Sequence, residues 1–125
     1  MRVLILEDDH NRHKAFRRNL IGCDVQIVET APAAIEYLNS VSWDVLFLDH
    51  DLGGEVYQES GDGTGYEVAC WLEEHVDKQP KRIIIHSFNA AGAEKMLAAL
   101  PSAICGPGVW ANPDLIGLIR GVFDK

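Results

Sequence analysis

Short apolar runs recur along the chain, and segments with a different periodicity separate them. The runs at residues 3–6, 45–48 and 83–85 contain no polar residue. Unbroken runs of this kind are typical of strands that are buried on both faces of a parallel sheet. Weaker runs at residues 25–28 and 103–105 predict a second and a fifth strand. The pattern therefore indicates five short strands.

The segments between the runs carry helix-start signals. Asp9, Thr30 and Asn89 each stand before a stretch with apolar residues at helical spacing, and each side chain can cap a first turn. Apolar residues at the same spacing continue from Tyr66, and the Asn-Pro-Asp sequence that begins at Asn112 predicts the start of a last helix. The chain therefore alternates strands with helices.

This alternation predicts an α/β fold, a single doubly wound five-stranded parallel sheet with helices on both faces, because right-handed crossovers are strongly favoured. A length of 125 residues fits one domain, so we expect residues 1–125 to form a single domain. With the strand order 2-1-3-4-5, the carboxyl ends of the first, third and fourth strands lie side by side. Ligands bind at this edge in such sheets.

Polar side chains follow these three strands directly. Three of them are carboxylates that are predicted to converge, and converging carboxylates repel one another unless a cation or a proton intervenes. Glu7, Asp8 and Asp49 therefore predict a site for a divalent metal ion. The complete set is Glu7 and Asp8 after the first strand, Asp49, His50 and Asp51 after the third, and His86, Ser87 and Asn89 after the fourth.

Composition limits the partners. Eleven basic residues against 19 acidic ones give a net charge of −8, which disfavours binding to an extended nucleic acid. A small phosphorylated ligand or a nucleotide remains compatible with this net charge, because a cation held by carboxylates makes the local electrostatic potential favourable for a phosphate. No apolar run reaches the length of a membrane span. We expect a cytoplasmic protein that does not enter a membrane.

The strand-end acids and the hydroxyl residue after the fourth strand resemble the receiver domain of two-component response regulators, the CheY-like class. The resemblance covers nearly the whole chain and implies the flavodoxin-like receiver fold. It implies that Glu7 and Asp8 help to hold Mg²⁺, with Mn²⁺ as the alternative. It also implies that Asp49 is the phosphoacceptor and that Ser87 is the switch hydroxyl.

Three features depart from the receiver pattern. The lysine that ends the fifth strand of receivers is absent from residues 106–113. The connection at residues 53–63 is longer than in receivers and rich in glycine and acid, and we expect it to form a loop over the site. Finally, His50, His86 and Asn89 are not receiver signatures.

The sequences around His50 and His86, with the Gly-Thr-Gly-Tyr sequence at residues 63–66, resemble a receiver subgroup proposed to process nucleotide cyclic phosphates. Opening a cyclic phosphodiester requires a base, an acid, and positive charge or hydrogen-bond donors around the phosphorus. Two histidines that titrate near neutral pH can serve as base and acid. The resemblance thus implies a phosphoesterase in which His50, His86 and Asp49 are catalytic.

Donors for the phosphate would come from Ser87, Asn89 and the backbone amide of Gly65, which opens a predicted helix. Asp51 is expected to act as the hydrogen-bond partner that orients a histidine.

Strand geometry leaves the orientation of the histidines open. A residue next to Asp49 on an extended strand should point to the opposite face, so His50 could instead bond to a helix. The same alternation applies to His86 and Ser87, although the geometry relaxes where a strand ends.

Three functions are compatible with these residues. The first is a metal-dependent phosphoesterase that acts on a cyclic phosphate of a nucleotide or an RNA end. The second is a stand-alone receiver that a histidine kinase phosphorylates on Asp49. The third is a module that binds a phosphorylated ligand without chemistry. The missing lysine weighs against the second function, and the added histidines favour the first over the third.

Overall fold

The computed structural model describes residues 1–52 and 58–123. The expected loop over the site falls partly on residues 53–57, which lie outside the described residues. Two 3₁₀ turns, Val76–Lys78 and Val109–Ala111, accompany the regular elements. In chain order these are β1 (Arg2–Leu6), α1 (His10–Asn19), β2 (Asp24–Val28), α2 (Ala31–Ser40), β3 (Val45–Leu48), α3 (Gly65–Glu74), β4 (Arg82–Ile85), α4 (Ala90–Ala99), β5 (Ile104–Cys105) and α5 (Leu115–Phe123).

The strands form one parallel sheet in the order β2-β1-β3-β4-β5, which confirms the predicted doubly wound topology. Its register aligns the last residues of the three central strands: Leu6 pairs with Leu48, and Leu48 pairs with Ile85. The fifth strand is short and pairs with β4 through Ile104 and Cys105. Because the three central strands end in register, the residues that directly follow them lie side by side at the edge of the sheet.

Side-chain alternation divides the core between the two faces of the sheet. Residues at successive strand positions point to opposite sides, so each strand contributes to both cores. Helices α2, α3 and α4 cover one face, and α1 and α5 cover the other. The first core includes Leu4, Leu6, Leu46, Leu48, Leu38, Val68 and Met96; the second includes Val3, Ile5, Val45, Phe47, Phe16, Leu115 and Ile119.

The predicted caps explain where the helices begin. The Asp9 side chain accepts hydrogen bonds from the first-turn amides of α1, and Thr30 accepts one from the first turn of α2. Asn89 caps α4 in the same way. The last helix begins at Leu115, after the Asn112 side chain accepts a hydrogen bond from a backbone amide. None of the helices in the described ranges is long and apolar enough to cross a membrane.

The start of α3 lies directly against the end of β3. The amide of Gly65 donates to the backbone carbonyl of His50 at 2.9 Å. A Cβ atom at Gly65 would clash with the carbonyl oxygen of Asp49. Only glycine therefore lets this helix begin so close to the strand end.

We predict that Gly65→Ala destabilises the protein, by ~1–3 kcal/mol or more, because the added methyl group forces α3 away from β3. Urea unfolding followed by circular dichroism measures the change. The matched control is Gly121→Ala, where the new Cβ atom has no neighbour within 4 Å. Equal unfolding free energies for the two variants would contradict the close approach.

Candidate functional site

The first residues after β1, β3 and β4 form one row across the edge of the sheet: Glu7, Asp49 and His86. Backbone hydrogen bonds extend the ladder into this row, from Asp49 N to Leu6 O (3.1 Å) and from His86 N to Leu48 O (3.0 Å). All three side chains are buried. One carboxylate oxygen of each acid and a ring nitrogen of His86 lie within 4.8 Å of one another.

Glu7 is held by donors on every side. Its Oε2 atom accepts hydrogen bonds from the amides of Asp8 (2.9 Å) and Asp9 (3.1 Å). Its Oε1 atom lies 3.1 Å from Nε2 of His86 and 3.2 Å from Nη1 of Arg12. A fully buried carboxylate with this many donors is stabilised in its ionised form.

Arg12, in the first turn of α1, brings a positive charge to the two carboxylates. Its Nη1 atom lies 3.2 Å from Oε1 of Glu7 and 3.7 Å from Oδ2 of Asp49. The guanidinium carbon is 4.4 Å from the ring centroid of Trp110 and 5.7 Å from that of Phe88. The Arg12 side chain is 29% exposed, so its charge is reachable from solvent, whereas the acids are buried.

His86 is enclosed by aromatic rings. Its ring centroid is 5.3 Å from that of Phe16, 6.3 Å from that of Phe47 and 5.7 Å from that of Trp110. Within residues 1–52 and 58–123, its Nδ1 atom has no hydrogen-bond partner. The contact between Nε2 and Glu7 therefore assigns the proton of the neutral ring to Nε2, which donates to the carboxylate.

These surroundings separate the two carboxyl pKa values. Burial, followed by the negative charge of Glu7, raises the pKa of Asp49 to about 8. Burial also opposes ionisation of Glu7, but the hydrogen bond from His86 and the positive charge that His86 can carry, followed by the Asp9 amide and the charge of Arg12, lower its pKa to about 2. Burial lowers the pKa of His86. At neutral pH, Glu7 is ionised and Asp49 retains a proton.

The chemistry of this row fits a divalent cation, because a cation would replace the proton on Asp49 and neutralise both acids. Glu7 and Asp49 would supply oxygen ligands, and His86 would supply a ring nitrogen. Asp8, which was expected to be a ligand, is not a member of this group of three. Its backbone amide instead donates to Glu7.

His50 belongs to a different cluster, on the face covered by α4. Strand alternation turns its ring away from the row of Asp49, and the ring packs so closely against Gly92 that a Cβ atom there would lie 2.5 Å from it. His50 Nδ1 lies 2.8 Å from Oδ1 of Asp51, and Nε2 lies 2.8 Å from Oγ of Ser60. The structure thus brings His86 to the acids but not His50. Asp51 lies beside His50.

The groups expected to bind phosphate already make hydrogen bonds within the protein. The Ser87 hydroxyl accepts from the amide of Asn89 (3.0 Å), and Asn89 Oδ1 accepts from the amide of Gly92 (3.0 Å). The Asn89 side-chain nitrogen donates to the carbonyl of Gln58 (3.0 Å). The amide of Gly65 is bonded to a backbone carbonyl, as described above. In this structure these groups stabilise the loops at the sheet edge.

Sequence reasoning missed Arg12 and Ser60. Arg12 had a usable signal: it stands three residues after the Asp9 cap, in the helix that follows an acidic strand end, so it begins close to the acids. Ser60 had none, because it lies in a loop whose path depends on the tertiary structure. The three residues of the row, Glu7, Asp49 and His86, were all among the predicted site residues, because each directly follows a strand.

Comparison with known proteins identifies related chains. A family model described as "Cyclic-phosphate processing Receiver domain" matches residues 2–102. Among solved structures, the response regulator domain of Thermotoga maritima CheB is similar, with a TM-score of 0.70 and 17% identity over 100% of this chain and 97% of that chain. No protein with a curated description matches the chain in sequence.

Two further structures show the same likeness. The CheY-like receiver domain protein from Methanospirillum hungatei JF-1 has a TM-score of 0.68 and 22% identity, over 98% of this chain and 93% of that chain. The Mn²⁺-bound form of response regulator Rcp1 has a TM-score of 0.63 and 17% identity, over 97% and 90%. At these identities the likeness establishes the receiver fold.

The raised pKa of Asp49 predicts a pH-dependent stability in the presence of EDTA. Because folding raises this pKa from 3.8 to about 8, the proton on Asp49 stabilises the folded state at low pH, and this contribution disappears as the pH rises toward 8. Between pH 5 and 8 the wild type should lose up to ~4 kcal/mol that Asp49→Asn does not lose, since one pKa unit is worth ~1.4 kcal/mol.

Unfolding free energies in urea at several pH values measure this difference. Between pH 5 and 8 the lowered pKa of Glu7 contributes little to the change in unfolding free energy. Its effect falls below the ordinary pKa of 4.5, because the carboxyl group is ionised in both the folded and the unfolded state above that pH. Asp77→Asn, which changes an exposed carboxylate, is the control and should follow the wild type. Parallel curves for wild type and Asp49→Asn would contradict the raised pKa.

Proposed function

We propose that this chain, which belongs to the cyclic-phosphate processing receiver domain family, hydrolyses the cyclic phosphate of a nucleotide or an RNA end. The observation that carries the proposal is the position of Arg12 beside Glu7 and Asp49. A receiver-type acidic pocket gains a guanidinium there, in a chain that lacks the usual receiver lysine after the fifth strand. A phosphate approaching the acids would meet this positive charge.

Arg12 is the proposed phosphate-binding residue. A guanidinium presents two N–H groups in one plane and can bind two phosphate oxygens at once. The Glu7 carboxylate and the Trp110 ring fix its position, and its partial exposure leaves donors for a ligand. Phe88, which is 56% exposed beside Trp110, offers a ring surface for the nucleoside part of the substrate.

Asp49 is the proposed proton carrier. Two neighbouring carboxyl groups with widely separated pKa values are a recurring arrangement in acid–base catalysis, and the group that titrates near the working pH exchanges the proton. Asp49 would accept a proton from the attacking water or return one to the leaving oxygen. His86 keeps Glu7 ionised and oriented through its Nε2–H group, and Glu7 in turn holds Arg12.

A divalent cation such as Mn²⁺ or Mg²⁺ would be held by Glu7, Asp49 and His86. When bound, it would supply positive charge to a phosphate oxygen and lower the pKa of a nearby water. A proton and a cation are alternative ways of neutralising Asp49, so the two should compete. Turnover that rises with Mn²⁺ and falls with EDTA would identify the cation as the working form.

The second candidate is signalling by phosphorylation of Asp49, with a histidine kinase as the partner. It is favoured by the placement of Asp49 after β3 and Ser87 after β4, together with the similarity to receiver structures such as the BeF3-activated DrrB receiver domain. In that case Arg12 would take the place of the missing lysine beside the phosphoryl group.

One experiment separates the two candidates. The protein is incubated with 2′,3′-cyclic nucleotides and, separately, with acetyl phosphate, with Mg²⁺, Mn²⁺ or EDTA, and phosphorus NMR follows the products. We expect the cyclic signal to be replaced by that of a phosphomonoester. A stable acyl phosphate on Asp49, formed without any turnover of cyclic nucleotide, would reject the enzyme and support the receiver.

Replacing Arg12 tests the proposed binding group. Arg12→Ala should lower kcat/KM for the cyclic nucleotide by ~10²–10³-fold, the cost that removing one preorganised donor to a developing negative charge has in other enzymes. Arg12→Lys should recover part of the loss, because it restores the charge but not the planar pair of donors. Arg17→Ala is the matched control, since Arg17 is an exposed arginine of the same helix. Equal losses in Arg12→Ala and Arg17→Ala would exclude a specific role.

A further inference from the structure

The cluster around His50 contains an unbroken chain of hydrogen-bonding groups that the proposed phosphate chemistry does not use. Oγ of Ser60 lies 2.8 Å from Nε2 of His50, and Nδ1 of the same ring lies 2.8 Å from Oδ1 of Asp51. A hydroxyl, an imidazole and a carboxylate in this sequence and at these distances are the parts of an activated serine nucleophile.

The surrounding donors fix the proton on the ring. Oδ1 of Asp51 also accepts from the amide of Gln58 (2.9 Å) and from the side-chain nitrogen of Asn89 (3.1 Å), so this oxygen is an acceptor. Nδ1 of His50 lies closer to this oxygen (2.8 Å) than to the Asn89 side-chain nitrogen (3.3 Å), so we assign its proton to the bond with Asp51. In the neutral ring Nε2 is then the acceptor, and the Ser60 hydroxyl donates to it. This is the tautomer that a general base requires.

The geometry is held rigidly on the histidine side. The His50 ring is fully buried and packs on Gly92, with no room for a methyl group between them. Asn89 Nδ2 also donates to the carbonyl of Gln58, which ties the segment before Ser60 to the start of α4. Ser60 itself is only partly buried, so its hydroxyl is the reachable end of the chain.

An open cleft adjoins this hydroxyl. It has a volume of about 510 Å³, and its lining includes Ser60, Asn89, Gly92 and Lys95. The Glu59 carboxylate and the Lys95 ammonium both line the cleft, so it does not carry charge of a single sign.

We infer that Ser60, His50 and Asp51 form a second catalytic site, which hydrolyses small carboxylic esters. Ser60 Oγ forms a bond to the acyl carbon while its proton passes to His50 Nε2, and the alcohol leaves with that proton. Water then attacks the acyl carbon, gives a proton to Nε2, and the serine oxygen leaves and recovers that proton. Asp51 is the positioning residue that holds the ring tautomer.

A fluorophosphonate probe tests the serine directly, because only an activated hydroxyl displaces fluoride from phosphorus. We expect one covalent adduct on the full chain, located at Ser60 by peptide mass spectrometry, and no adduct at the exposed Ser102. Ser60→Ala should abolish the adduct, and Ser102→Ala should leave it unchanged. p-Nitrophenyl acetate should give a burst of one equivalent of nitrophenolate in the wild type and none in Ser60→Ala.

Asp51→Asn should slow labelling by about two orders of magnitude or more, because the amide can stabilise the wrong tautomer. The unfolding midpoint of this variant is measured in parallel, so that slower labelling is compared between folded proteins. Failure of folded wild-type protein to label at Ser60, or labelling of Ser60 and Ser102 at the same rate, would overturn the inference. The adduct is read on Ser60 alone, so the result does not depend on whether cyclic phosphates are hydrolysed.

Discussion

The register of three parallel strands is the constraint on which the rest of the structure depends. Because β1, β3 and β4 end level with one another, the residues that follow them form rows across the sheet edge rather than a scattered rim. Strand alternation then sends each row to one face. The first row, Glu7, Asp49 and His86, lies on the side of α1. The second row, which contains His50, lies on the side of α4. A slip of one residue in one strand would exchange that strand's members between the two faces.

The electrostatics of the first row follow from burial. Two carboxylates out of contact with water cannot both be ionised at low cost, and a single guanidinium beside them compensates only part of their charge. The donors around Glu7 concentrate the ionised state on that residue and leave the proton on Asp49. The same excess of negative charge explains why the pocket fits a cation. A phosphate that approached from the exposed side of Arg12 would meet Asp49, an acid whose pKa is about 8.

The second row shows how a receiver fold can hold another kind of chemistry at the same edge. Glycine at two positions creates the space: Gly65 lets α3 start against the end of β3, and Gly92 leaves room for the His50 ring beneath α4. The ring is then close enough to Asp51 and Ser60 to be bonded at both nitrogens. The two rows meet at the end of β3, where Asp49 belongs to the first row and His50 to the second. These two residues are adjacent in sequence, although their side chains lie on opposite faces of the sheet.

The sequence by itself determined the fold and most of the first row. Unbroken apolar runs, helix caps and the alternation of elements led to the five-stranded order, and acids at strand ends identified Glu7 and Asp49. These features are local, so the chain displays them directly. It also suggested that His50 and His86 could work together, because both lie next to strand ends and spacing alone does not say which face a side chain takes.

Only the tertiary structure decided which face each histidine takes and which residues each of them contacts. Alternation and register separate the two histidines, and helix packing brings Arg12 over the acids and Trp110 behind it. The path of a loop places Ser60 beside His50. Each of these contacts joins residues whose separation in space depends on how helices pack on the sheet, and that packing is a property of the whole core rather than of any local pattern.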